Sequence, residues 1–202
     1  MKYTAVVPIV EGHGEVRAFP ALLFRVRDMI APKLTLKVNP PIRVKVGKFL
    51  NSEEEFYRHV RLAAERAVSL KGHVLILLDS EDDCPRELGP SLLERAKRIR
   101  NDVSFVVALA YREYETWFIA AANSLRGVSG LPEYLAPPTN PEHIRSAKEW
   151  FSRYLPNGYD EIKHQWEFTR AFSFAEARSV RSFSRFLDKL EPLLTEGEPV
   201  RY

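Results

Sequence analysis

The stretch His73-Val74-Leu75-Ile76-Leu77-Leu78-Asp79-Ser80-Glu81-Asp82-Asp83 decides how this chain is read. Val74–Leu78 is an unbroken apolar run, and carboxylates fill four of the next five positions. An apolar run of that kind fits a strand buried on both faces of a parallel sheet. The abrupt change of polarity then marks the strand's carboxyl end. Working outward, Tyr3–Val10 and Val103–Ala110 repeat the pattern: the first runs into Glu11-Gly12-His13-Gly14-Glu15, the second into Tyr111-Arg112-Glu113-Tyr114-Glu115. Ile42–Val46 is a fourth, shorter strand candidate.

Helical patterns lie between these runs. Phe56, Val60, Ala63, Ala67 and Leu70 recur at spacings of four and three, with Ser52 and Glu55 as a capping box. Ser91 with Glu94 repeats that signature ahead of Leu92, Leu93, Ala96 and Ile99. Residues 16–30 read as a helix in which Pro20 marks a first turn or a bend. Strands alternating with helices imply right-handed crossovers and a mostly parallel four-stranded sheet flanked by helices, an α/β fold. That unit covers residues 1–125. The loop Gly127–Pro141 follows, and from Glu142 the chain turns helical and aromatic, so residues 126–202 read as a helical appendage packed on the sheet unit. The segment from Thr195 onward reads as a loose tail.

With 202 residues, 45% hydrophobic and 28% charged, the chain can build a large core without staples, which excludes disordered and disulfide-scaffold classes. Thirty basic residues against 27 acidic ones leave a net charge of +3, too small to indicate a partner. The lone Cys84 excludes an internal disulfide and a cysteine-based zinc site, and fits a reducing, cytoplasmic setting. No run is long enough for a membrane span or a signal peptide.

In a parallel α/β sheet, ligands bind outside the carboxyl ends of the strands. Three strand ends carrying carboxylates would therefore converge on one region. Converging anions need raised pKa values or a hard divalent cation, and an oxygen-only donor set selects magnesium. Taken singly, each acid has a plainer explanation: Asp83 or Cys84 before Pro85 reads as an N-cap with proline in the first turn. The coincidence of three strand ends is what favours a site. Gly12-x-Gly14 lacks the third glycine of a dinucleotide fingerprint. A glycosidase carboxylate pair fits the acids but not a short doubly wound sheet.

Glu11-Gly-x-x-Glu15 after one strand and Asp79-x-Glu81 after another resemble the Toprim domain, the metal-binding module of topoisomerases, primases and overcoming-lysogenization-defect nucleases. Together with the segments Arg112–Phe118 and Ser179–Phe186 they resemble a bacterial family catalogued as domain of unknown function 4276, considered Toprim-like. The resemblance implies that Glu11 acts as general acid or base, or as a metal ligand. It places Asp79 and Glu81 on the magnesium-binding Asp-x-Asp pair, with Glu replacing the second Asp. Asp82 and Asp83 are nearby substitutes for that departure. Glu115 is a further acidic contributor, with Glu113 as its competitor for the inward position.

The metal set expected is thus Glu11, Asp79, Glu81 and Asp83, and the catalytic pair Glu11 and Glu115, with Mg2+ preferred and Mn2+ as substitute. Arg178, Arg181 and Arg185 fall at helical spacing and, with Lys163, are candidates for phosphate contact; salt bridges to the acidic edge explain them equally well. The chemistry expected is magnesium-dependent phosphodiester cleavage or phosphotransfer on DNA or RNA. The resemblance adds bacterial defence and a partner protein from the same operon. The alternative is a non-catalytic nucleic-acid-binding or assembly module.

Overall fold

The structure is a computed structural model that describes residues 2–195. Five parallel strands form one sheet: β1 (Tyr3–Val10), β2 (Thr35–Val38), β3 (Ile42–Arg43), β4 (His73–Asp79) and β5 (Ser104–Ala110). The order is β2-β1-β4-β5. The short β3 pairs with the far end of β1, Ile9 against Ile42, while β2 pairs with its near end, Tyr3 against Thr35. Both therefore lie on the same side of β1, one after the other.

The period-two alternation of the strands explains how one sheet serves two cores. Val7 and Ile9 of β1, Val74, Ile76 and Leu78 of β4, and Val107 and Leu109 of β5 face α3 (Glu53–Leu70) and α4 (Pro85–Ile99). The residues between them, Val6, Val10, Leu75, Leu77, Ala108 and Ala110, face the opposite core. That second core contains α1 (His13–Ile30) and the later helices α5 (Thr116–Ala120), α6 (Ala147–Ser152), α7 (Glu161–Ala171), α8 (Phe174–Ala177) and α9 (Arg181–Thr195). Each central strand is buried on both faces, hence the continuous apolar runs.

Aromatic rings fill the second core. Trp117 lies 5.2 Å from Phe183 and 5.1 Å from Phe186 between centroids. Its indole N–H donates to Ser182 Oγ at 3.0 Å, so the polar edge of a fully buried ring is satisfied. Trp117 and Phe118 are core, as their sequence context suggests.

Several local readings change. β2 carries exposed Thr35 and Lys37 beside buried Leu36, and so lacks the apolar run that marks the central strands. The Ile42–Val46 segment is a strand only over Ile42–Arg43, because Val46 already opens the short helix α2 (Val46–Asn51). The helix expected after Ser91 begins six residues earlier, at Pro85, with Cys84 as N-cap residue and Pro85 in the first turn. The Ser91–Glu94 pair is thus mid-helix and caps nothing. Ser52 does cap α3, its Oγ accepting from Glu55 N–H at 3.3 Å. Pro20 lies well inside α1 rather than in its first turn. Thr195 ends α9, and the tail expected beyond it lies outside the described residues. No helix of the described residues is long and apolar enough to cross a membrane.

Candidate functional site

The sheet's parallel order sets β1, β4 and β5 side by side, and their carboxyl ends deliver Glu11, Asp79 and the 111–115 turn to one edge. Glu15 joins them from the first turn of α1. Asp79 Oδ1 accepts from the backbone N–H of Tyr114 at 2.8 Å, which ties the ends of β4 and β5 together. Glu115, 0% exposed, accepts at Oε1 from Tyr159 Oη–H at 3.0 Å and from Gln165 Nε2 at 3.2 Å. Glu15, 5% exposed, accepts at Oε1 from the same Gln165 amide at 2.8 Å. One amide on α7 thus bridges two buried carboxylates, one from the first turn of α1 and one from the turn after β5.

The other oxygens of these groups have no partner in the fold. Glu11 Oε2, Glu15 Oε2 and Glu115 Oε2 are buried without a hydrogen bond, as is Gln165 Oε1. A buried carboxylate oxygen without a donor is costly unless it carries a proton or faces a cation. Consistent with that cost, burial and then the charges of Glu15 and Glu81 push Glu11 up to about 7. Burial, reinforced by Glu15, pushes Glu115 up to about 8 despite the opposing charge of Lys148. Asp79 and Glu15 are raised chiefly by burial, and Asp79 further by Glu15, Glu115 and Glu11.

Lys148 on α6 faces this cluster. Burial disfavours its ammonium, but Glu115, Glu161 and Asp79 outweigh that and hold it above the ordinary lysine range. Its Nζ lies 3.0 Å from Glu161 Oε2. Glu161 Oε1 in turn accepts from Gly14 N–H at 3.3 Å. The two glycines of the β1–α1 turn exist for this close approach. A Cβ on Gly14 would stand 2.1 Å from Gln165 Oε1 and 2.8 Å from the backbone oxygen of Glu161. A Cβ on Gly12 would stand 2.2 Å from Glu15 Oε2. The Gly-x-Gly pattern here admits α7, not a pyrophosphate.

Of the expected site residues, Glu11, Asp79 and Glu115 come together. Glu81 lies on an exposed turn with φ of 45°, its charge felt by Glu11 at the cluster's edge. Asp83 is exposed just ahead of α4, and Asp82 pairs with Arg112 at 3.2 Å. Glu113 does not compete for the inward position: its Oε1 accepts from Ala147 N–H at 2.9 Å, holding the start of α6. Lys163 is exposed on α7. Arg178 precedes α9 rather than sharing it, because α8 ends at Ala177 and a turn intervenes, so the three-arginine stripe reduces to Arg181 and Arg185. Tyr114 is buried against Thr169 Oγ1 at 3.0 Å and is no nucleophile.

Sequence reasoning did not place Lys148, Tyr159, Glu161 or Gln165 in the site. A signal existed in α7, where Glu161 and Gln165 share a helix face with buried Phe168 while Ile162 points outward at 52% exposed. Polar residues on the core-facing stripe of a helix mark a buried polar site. Lys148, between Ala147 and Trp150, carries no such mark.

Among the described residues, no three His, Cys, Asp or Glu side chains form a ready-made metal cage. The donor chemistry nonetheless fits a hard cation, since three of the orphaned oxygens are carboxylate oxygens and a fourth, Gln165 Oε1, is an amide oxygen. Magnesium usually keeps several waters and takes only one or two protein carboxylates, so it does not need a closed cage.

Fold and site together define an α/β protein with a parallel sheet and a buried carboxylate cluster at the carboxyl ends of its strands. The chain belongs to the family described as Domain of unknown function (DUF4276), whose family model matches residues 10–191. No curated protein and no solved structure matches it.

Proposed function

We propose that the protein is a Toprim-like, magnesium-dependent phosphodiesterase or phosphotransfer enzyme acting on nucleic acid, with Mn2+ as substitute metal. The observation that carries this reading is the set of buried carboxylate oxygens without donors, on Glu11, Glu15 and Glu115, gathered around Asp79. Asp79 and Glu115 would hold the ion, with Glu11 and Glu81 facing its water shell. When bound, the ion supplies Lewis-acid polarisation of a phosphoryl oxygen and eases deprotonation of the attacking hydroxyl or water.

The chain's own residues do the rest. Glu11, titrating near neutrality, accepts and returns a proton at its carboxylate. Gln165 and Tyr159 fix the orientation of Glu15 and Glu115. The Tyr114 N–H fixes Asp79. Lys148 brings positive charge toward developing negative charge on the phosphoryl group. Lys163, Arg178 and Arg181 are the proposed phosphate contacts away from the reacting atoms. The parallel order β2-β1-β4-β5 with acids at its carboxyl ends supports Toprim-like topology, in which residues 126–202 serve as a helical appendage to 1–125. A cytoplasmic role in bacterial defence beside an operon partner completes the reading, on the strength of the resemblance alone.

The test is cleavage of supercoiled plasmid and of labelled single-stranded DNA and RNA, with Mg2+ and with EDTA. Activity that needs Mg2+ and disappears in Glu11→Gln and Asp79→Asn supports the reading. Activity unchanged in both variants sinks it. A second reading, a nucleic-acid-binding or assembly module without catalysis, is favoured by one observation: Lys148 already supplies a cation to Glu115, Glu161 and Asp79. Binding of nucleic acid without cleavage, alike in Mg2+ and EDTA, selects it.

A further inference from the structure

Arg181, Arg185 and Lys189 follow one another at four-residue spacing along α9 and, with Arg86 of α4, line a groove of about 320 Å³ beside β5. Among the described residues Arg86, Arg181 and Arg185 form no salt bridge, whereas Arg95, Arg100 and Arg112 each do. One carboxylate lines the groove, Glu142, and it is already engaged: its Oε1 accepts from Ser182 N–H at 3.4 Å and Ser182 Oγ–H at 3.3 Å. Lys189 is held in place by donating to the Val107 carbonyl at 2.5 Å. Burial and the like charge of Arg185 disfavour its ammonium, a penalty that an incoming anion relieves.

The lining also includes Pro85, Leu109 and Tyr111, with Ala108 and Phe186 almost wholly buried. Unpaired cations beside apolar and aromatic lining in so small a space call for a ligand that is a dense anion at one end and a flat apolar body at the other. A carboxylate peptide carries one charge per side chain and no such body. A volume of about 320 Å³ lies at the small end of ligand pockets, which run from roughly 300 to 1,000 Å³. The groove lies across the 111–115 turn from the acidic cluster, since Tyr111 lines it and the Tyr114 N–H holds Asp79.

We propose that this groove binds a nucleoside phosphate, with the phosphate between Arg86, Arg181 and Arg185 and the base against Tyr111 and Leu109. The choice of a nucleotide over other phosphates rests on the proposed function. The binding itself needs neither metal nor the carboxylate cluster.

The experiment uses the full chain in EDTA. AMP and inorganic phosphate are titrated by calorimetry, and a labelled 12-nucleotide single strand with a 5′-phosphate by anisotropy. Binding of AMP or of the strand, weakened about tenfold or more in Arg181→Ala/Arg185→Ala, is the expected result. The salt slope of strand binding should fall by about 1.4 in that variant, at roughly 0.7 per lost phosphate contact. Binding of AMP as well as the strand identifies a free nucleotide, and binding of the strand alone identifies a strand segment; both support the proposal. Equal binding by wild type and variant overturns it, as does failure of both nucleotide probes or binding of inorganic phosphate as tightly as AMP. Nucleotide binding by a protein that never cleaves with Mg2+ leaves the groove standing and removes the nuclease reading. Cleavage that persists in Arg181→Ala/Arg185→Ala with no nucleotide binding anywhere removes the groove and keeps the nuclease.

Discussion

Asp79 and Asp82 are three positions apart, yet they live in different electrostatic worlds. Asp79 is half-buried among Glu15, Glu115 and Glu11, and its carboxyl is held well above the ordinary range. Asp82 is exposed, faces Arg112 at 3.2 Å and Arg145 at 3.8 Å, and is a surface ion pair. Four of the five residues 79–83 are acidic, but the fold divides them at Ser80, which is buried and accepts from the Arg112 N–H at 3.1 Å. Acid density along the chain is therefore a poor guide to chemistry. Withdrawal of carboxylates from water without matching donors is a better one.

The strongest way to break that contrast is through activity. Glu11→Gln is expected to reduce magnesium-dependent cleavage by about 10²–10⁴-fold, the usual contribution of a positioned proton-transfer group. Rates measured on a labelled strand across pH 5–9 check this, and a residual rate above one-tenth of wild type would falsify the role given to Glu11.

Next in size is Gly14→Ala. The added methyl meets Gln165 Oε1 and the rigid Glu161 carbonyl, so the seam between α1 and α7 must open. The expected cost is about 1–3 kcal/mol, typical of overpacking, read from urea unfolding. A variant as stable as wild type would show that α7 does not sit where the structure has it.

Stability against pH comes third. A carboxyl whose folded pKa exceeds its unfolded value binds a proton on folding, so its contribution is full below the unfolded value and lost as pH rises through the folded one. For Glu11 and Glu115 the window runs from about 4.5 to about 7 and about 8. In EDTA the Tm should therefore fall between pH 5 and pH 8, by several degrees at roughly 2–4 °C per kcal/mol. Magnesium should restore it at pH 8 and do little at pH 5, where protons already occupy the oxygens. Glu115→Gln should flatten the EDTA profile. A Tm that climbs over this window contradicts the buried-acid cluster.

Smallest of all, Asp82→Asn and Asp83→Asn should each change cleavage less than about threefold and stability by less than about 1 kcal/mol, as exposed charges do. A large loss of activity in Asp83→Asn would return that residue to the metal set.

The central strands were legible because burial on both faces leaves a plain apolar signature in β1, β4 and β5. β2 escaped because its edge position lets Thr35 and Lys37 face solvent. That acids at three strand ends would gather on one edge was legible from topology, since the strands are parallel; the choice of Glu11, Asp79 and Glu115 among them came from the resemblance. Lys148 and Tyr159 were not legible, and Gln165 only as a polar residue on the core-facing stripe of α7: that it reaches the cluster depends on how α7 packs against α1, a relation no local pattern encodes. The arginine stripe failed for the converse reason. Helical spacing over 178–185 assumed one helix, where a turn after α8 separates Arg178 from Arg181.

The Gln165 amide that joins Glu15 to Glu115 reaches back across 150 positions of chain. At synthesis rates of roughly 5–20 residues per second, Glu15 leaves the ribosome about 8–30 s before its partner exists. During that interval the nascent chain carries Glu15 without Gln165 and, for most of it, without Lys148. The cluster is consequently a late assembly, and a product that stops short of α7 lacks the amide that joins Glu15 to Glu115.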